Sequence, residues 1–207
     1  MRQDVTSSKM IRINGEKREF QINTEALFED FIKGLNETLN QENQVISSMK
    51  INGEELSEKK ESLLKTRTLN EVGDIEVMTA HPSDLAYETI NTLTIYINQL
   101  ILNIGRASQN YTKKNMVTAD NYFVKALDGL DLFIQTIGAV KAALKVGLNP
   151  KVALAEASLV SIMNDLLDAK RANNYIFLAE LLEKDLIENL QEWKEKALPV
   201  LSTWKMV

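Results

Sequence analysis

Apolar side chains in this chain repeat in two rhythms, and the change between them limits what it can fold into. Over 9–32, KMIRINGEKREFQINTEALFEDFI, they first alternate and then fall every three or four residues. Alternation puts Ile11 and Ile13 on one side of a strand and Met10 and Arg12 on the other. Asn14-Gly15 supplies two residues that tolerate positive φ, the strongest short hairpin signal. The return strand sets Phe20 and Ile22 against Glu19 and Gln21. Thr24 is expected to cap a helix, whose apolar stripe is Leu27, Phe28, Phe31, Ile32, Leu35 and Leu39. That stripe must cover the sheet, because a lone hairpin is marginal in water.

Residues 45–51 read as a third strand with Val45, Met49 and Ile51 on one face. A second Asn-Gly pair, Asn52-Gly53, turns it into a short strand at 54–56. A polar stretch with Leu63 and Leu64 reads as turn, and 75–79 as the last strand. After His81-Pro82 the rhythm is helical throughout. Ser83 is expected to cap a helix bearing Ala86, Ile90, Leu93, Ile97, Leu100 and Ile104. Thr118 is expected to cap the next, with Phe123, Leu127, Leu130, Ile134, Ile137 and Leu144 inward. Asn149-Pro150 opens a third with Val152, Ala155, Leu159, Ile162, Leu166 and Ala169. Asn174 begins a fourth with Leu178, Leu182, Leu186, Leu190, Trp193 and Ala197, and Pro199 is expected beyond its end. Short links favour antiparallel neighbours. The expected fold is α+β, a sheet domain over 8–80 followed by an antiparallel four-helix bundle over 83–198.

The strand, strand, helix, strand, short strand, turn, strand order, with SSMKINGEEL before TLNEVGDIEVMTA, resembles the ubiquitin-like β-grasp family. Members that are conjugated or carry sulfur end in a flexible Gly-Gly tail; here Thr79-Ala80 runs into His81-Pro82. The resemblance therefore implies a docking head without tail chemistry. The run LVSIMNDLLDAKRANNYIFLAELLEKDLIENLQEWKE is similar to the last two helices of the flagellar export chaperone family, through Met163, Leu166, Ala169, Asn173, Asn174, Glu180, Leu181, Leu182 and Trp193. ADNYFVKALDGLDLF fits that family's second helix. The family's short tyrosine-bearing N-terminal tail is missing. This resemblance implies a hydrophobic groove that receives a helix of a flagellin-like export substrate.

The first bundle helix reads LTIYINQLILNI in its middle. Ile95 and Leu102, seven residues apart, lie nearly opposite its core stripe. A helix apolar on two faces is covered on both or meets a partner. Cover by the head or another helix is the plainer account; a partner groove or a homodimer face is the other. Ile95 and Leu102 are the candidate partner-binding residues, and changing both to Asp is expected to abolish a groove complex.

Chemistry finds little support. His81 is the one histidine among 207 residues and cysteine is absent, so imidazole or thiolate metal sites and thiol nucleophiles are not expected. His81, at the domain junction, suits capping or surface exposure better than catalysis. The eight glycines form no phosphate loop. Asp128 and Asp131, or Asp165 and Asp168, stand three apart with no third converging group, which is a solvated helix face before it is an acid–base pair. Five tyrosines, Tyr87, Tyr96, Tyr111, Tyr122 and Tyr175, form no single stacking stripe. Net charge is −5, divided as −4 over 1–80 and −1 beyond, without the basic excess that phosphate neutralisation needs. No apolar run reaches the roughly 18 residues of a membrane span, and MRQDVTSSKMIR lacks a secretory apolar core. The expected protein is a non-enzymatic chaperone or adaptor in the cytoplasm that binds another protein, without cofactor, metal, nucleic acid or membrane insertion. A scaffolding component of a secretion assembly, acting through the ubiquitin-like head, is the alternative.

Overall fold

The computed structural model describes residues 6–23 and 25–204, with side chains described for 11–18 and 25–204. Thr24, and the side chains of Met10, Glu19, Phe20, Gln21 and Ile22, lie outside that set. The fold is mixed α+β, an N-terminal five-stranded sheet followed by helices. Backbone contacts divide it into two compact units, Met1–Leu85 and Ala86–Val207.

In the first unit β1 (Thr6–Ile13) and β2 (Glu16–Asn23) pair antiparallel. Asn14 and Gly15 both take positive φ, 52° and 83°, as a tight hairpin turn requires. Then come α1 (Phe28–Gln41), β3 (Val45–Ile51), β4 (Glu54–Glu55), α2 (Glu58–Leu64) and β5 (Ile75–Ala80). The sheet order is β2-β1-β5-β3-β4. β5 runs parallel to β1, with Ile13 opposite Val77, and antiparallel to β3. Phe28, Phe31, Leu35 and Leu39 of α1 are buried in one cluster with Ile11, Ile13, Ile51, Ile75 and Val77.

Two expectations are corrected here. The helix starts at Phe28, after an extended Leu27 that makes a single strand-like bridge to Thr68. Phe28 N donates to Arg67 O at 2.8 Å, and Leu69 N to Ala26 O at 3.0 Å. This tie holds the chain extended and turns Leu27 out of the stripe, 39% exposed. The polar stretch read as turn contains α2, whose N-cap Ser57 accepts from Lys60 N. It has no apolar stripe to announce it: Leu64 packs against the core while Leu63 stays exposed.

The second unit contains α3 (Pro82–Thr112) from Ala86 onward, α4 (Met116–Ala143), α5 (Pro150–Arg171) and a helical run over 175–202. Tyr96 Oη donates to Gly129 O across α3 and α4. Ser108 Oγ donates to Ala179 O, and Lys194 Nζ to Asn98 Oδ1, between α3 and the last run. Asn189 Nδ2 donates to Ala155 O, from that run to α5. In α3, rising numbers meet falling ones in the last run, so these two are antiparallel. At Gly129 a Cβ would collide with Leu100 Cδ2, which is why the α3–α4 crossing needs glycine.

Asn149 and Asn174 cap as expected, accepting from Val152 N and Phe177 N. Ser83 and Thr118 do not: α3 begins at Pro82 and α4 follows Asn115, leaving both residues inside the first turn. Pro199 also falls within the last run, in the α-helical segment Leu198–Ser202. The leucine spacing explains this run. Leu178, Leu182, Leu186 and Leu190 step by four, and on an ideal helix of about 100° per residue each step overshoots by about 40°. Two π-helical turns, Leu181–Leu186 and Trp193–Ala197, widen the helix, and all four leucines remain fully buried. Pro199 follows the second of them, where a fresh α segment tolerates a missing N–H.

Candidate functional site

α4 and α5 meet along a seam with a seven-residue repeat. On α4 the repeat is Asp120, Leu127, Ile134 and Lys141; on α5 it is Glu156, Met163 and Lys170. An ion pair closes each end. Lys141 Nζ lies 2.6 Å from Glu156 Oε1, and Lys170 pairs with Asp120. Between them the side chains are apolar and open to water: Leu127 and Met163 are half-buried, whereas Ile134, Val160, Val124 and Leu167 are exposed. Exposed apolar residues gathered on one strip, unlike scattered ones, mark an interaction surface.

A pocket of about 210 Å³ opens in this seam, lined by Phe133, Ile134, Ile137, Leu159, Val160 and Trp193, with Glu156 beside it. Phe133 and Trp193 meet edge to face at 5.3 Å. Trp193 is 1% exposed, yet its Nε1–H has no hydrogen-bond partner. Asn189, one turn earlier and equally buried, gives its amide N–H to Ala155 O and leaves Oδ1 unpaired. Buried polar atoms without partners are rare in folded proteins, and each calls for a reason.

The Asp120 end of the seam is the most polar part of the unit. Lys170 Nζ donates to Asp120 Oδ1 and to Tyr111 Oη, and Tyr111 Oη donates to Asp120 Oδ1 at 2.5 Å. The ammonium stands 5.1 Å from the Tyr175 ring centre, 5.3 Å from Tyr111 and 5.9 Å from Phe123. Tyr111 and Tyr175 stack at 5.5 Å. One lysine thus ties α3, α4, α5 and the last run together. Burial, reinforced by the Asp120 carboxylate, raises the Tyr111 phenol above its ordinary value. The Lys170 and Tyr111 hydrogen bonds hold Asp120 below the usual carboxylate value. Both shifts favour the forms present at neutral pH, so this cluster is a brace rather than a proton donor or acceptor.

The residues singled out from sequence fall elsewhere. Ile95 and Leu102 retain 73% and 55% of their surface, on the side of α3 opposite buried Ile97, Leu100 and Ile104. The covering element expected for them is not supplied by the other helices of the second unit, and they do not reach the α4–α5 seam. Asp131 accepts from Gln135 Nε2 and Asp168 from Arg171, each on its own helix. His81 Nδ1 lies 3.0 Å from Asn43 O. Among the described residues no group of three or more His, Asp or Glu is placed to hold a metal ion, and no helix is long and apolar enough to cross a membrane. The seam was partly visible in advance: Leu127 and Ile134 were assigned to the inner face of α4, and their heptad spacing with Asp120 and Lys141 was the missed signal.

Residues 10–81 match the family described as the TP0873 N-terminal domain. No curated protein and no solved structure matches the chain. Residues 88–196, more than half of the chain, match the family described as Domain of unknown function (DUF8042), and the chain belongs to that family.

Proposed function

We propose that the chain is a non-enzymatic protein-binding module, a chaperone or adaptor of the cytoplasm, in which a β-grasp head precedes an antiparallel four-helix bundle. The sheet order and the helix packed on it support the head. The cross-helix hydrogen bonds and ion pairs support the bundle. One observation carries the function: the solvent-open apolar seam between α4 and α5, bounded by ion pairs at both ends. Its occupant is an amphipathic helix of another protein, laid in with its apolar stripe down. Asp128 and Asp131 on α4 flank the seam without an ion pair among the described residues, so the partner helix carries a basic edge.

Calorimetric titration with a synthetic amphipathic helix bearing a lysine edge, and with a flagellin-type C-terminal helix, tests this. Micromolar binding that Val160→Asp abolishes, and that Ile95→Asp with Leu102→Asp leaves intact, is the expected result. No binding of either peptide at high micromolar concentration would remove the reading. Loss only in the Ile95/Leu102 variant would move the site to the outer face of α3.

A further inference from the structure

The seam pocket has a size, a wall and one unmet donor, and the three together specify what enters it. At about 210 Å³ it falls below the roughly 300–1,000 Å³ typical of small-molecule and cofactor sites. That is room for one large side chain. Its wall is apolar and aromatic, with Phe133 and Trp193 set edge to face. Trp193 also carries the unpartnered Nε1–H, in a residue 1% exposed. An indole donor is normally satisfied when buried, and a purely hydrocarbon occupant would leave this one as it is.

We propose that the pocket is the anchor site of the partner helix and that it selects an aromatic side chain carrying an oxygen at its far edge, which accepts the Trp193 N–H. The proposal rests on the helix-binding reading. The acidic flank of Asp128 and Asp131 adds a charge requirement for the residues around the anchor, and the Lys141–Glu156 pair limits the pocket on the α4 C-terminal side. Trp193 opens the second π turn of the last run, Trp193–Ala197. Irregular turns of this kind are frequent where a helix carries a functional group.

The test uses the full chain labelled with ¹⁵N, titrated with p-cresol and with toluene, two rings that differ by one hydroxyl. The indole N–H signal of Trp193 is the readout, and that of Trp204 is the control. A neutral hydrogen bond gained in a dry pocket corresponds to roughly fivefold in affinity. The expected result is a saturable shift of the Trp193 signal with p-cresol held about fivefold tighter than toluene. Trp193→Phe should abolish that preference while toluene binding, followed by methyl signals of Ile134 and Val160, survives. Val160→Trp, at an exposed position, should block both probes without disturbing the fold. Equal affinity for the two probes would overturn the proposal, because the N–H is then satisfied internally, as by Asn189 Oδ1. So would the absence of saturable binding by either, or a preference that persists in Trp193→Phe. Failure of peptides to bind while p-cresol is still preferred would instead sink the helix-binding reading and leave the pocket chemistry standing.

Discussion

Replacing Lys170 by methionine keeps the length of the side chain and removes its charge, which isolates the brace at one end of the seam. Two contributions are lost. Asp120 is 49% exposed, so the ion pair is worth at most about 1 kcal/mol after solvent screening. The three ring contacts at 5.1 to 5.9 Å add about 1–2 kcal/mol together, since the ammonium is only partly dried. Relief of the ammonium's desolvation returns a fraction, and the net loss is about 2 kcal/mol. With a urea m-value of about 2 kcal/mol/M, the unfolding midpoint falls by about 1 M. Both tryptophans, Trp193 and Trp204, lie in the second unit, so intrinsic fluorescence follows that unit alone. At 1 M salt, where screening acts within about 3 Å, more than half of the loss should remain, because ring contacts are less screened than the exposed ion pair. A midpoint change under about 0.25 M would refute the reasoning and reduce the cluster to surface decoration.

Other expectations follow from the same geometry. The lowered Asp120 pKa means stability that is present above the ordinary carboxylate value and lost as pH falls below it; the raised Tyr111 pKa means stability present below pH 10 and lost above. Unfolding midpoints should therefore be flat through neutrality and fall at both ends, and Asp120→Asn should flatten the acid limb. Asn189→Leu removes a buried unpaired oxygen in a near-isosteric exchange, at the loss of one hydrogen bond to Ala155 O. It should raise stability by about 1 kcal/mol in the same urea assay, and a loss of that size would contradict the assignment. Deleting exposed Lys184 should convert the first π turn to regular α-helix and cost less than about 1 kcal/mol, whereas deleting exposed Gln99 from regular α3 rotates half a buried stripe and should cost more than about 3 kcal/mol.

How much of this was legible in the sequence depends on whether a signal was local. Asn14-Gly15, Asn52-Gly53, Asn149-Pro150 and Asn174 act through their own backbone, and each turn or cap formed where expected. The buried stripes of α3, α5 and the last run were readable because periodicity alone determines which face is inward. The delayed start of α1 was not, because Leu27 is held extended by Thr68, forty-one positions away in the chain. α2 was missed for lack of a stripe. The π turns were written in four leucines spaced by four, a period that should have been read as too long for an α-helix. The seam required knowing which helices are neighbours. Leu127 and Ile134 look like core until α5 is placed beside them, and Lys170 gave no sign that it would meet Tyr111, Phe123 and Tyr175.

Methyl NMR of the full chain during titration with a basic-edged amphipathic helix reads the central claim residue by residue. The account expects saturable shifts at Ile134, Val160 and Leu167, with Ile95 and Leu102 unmoved. Shifts confined to Ile95 and Leu102, or no shift at the seam at saturating peptide, would contradict it.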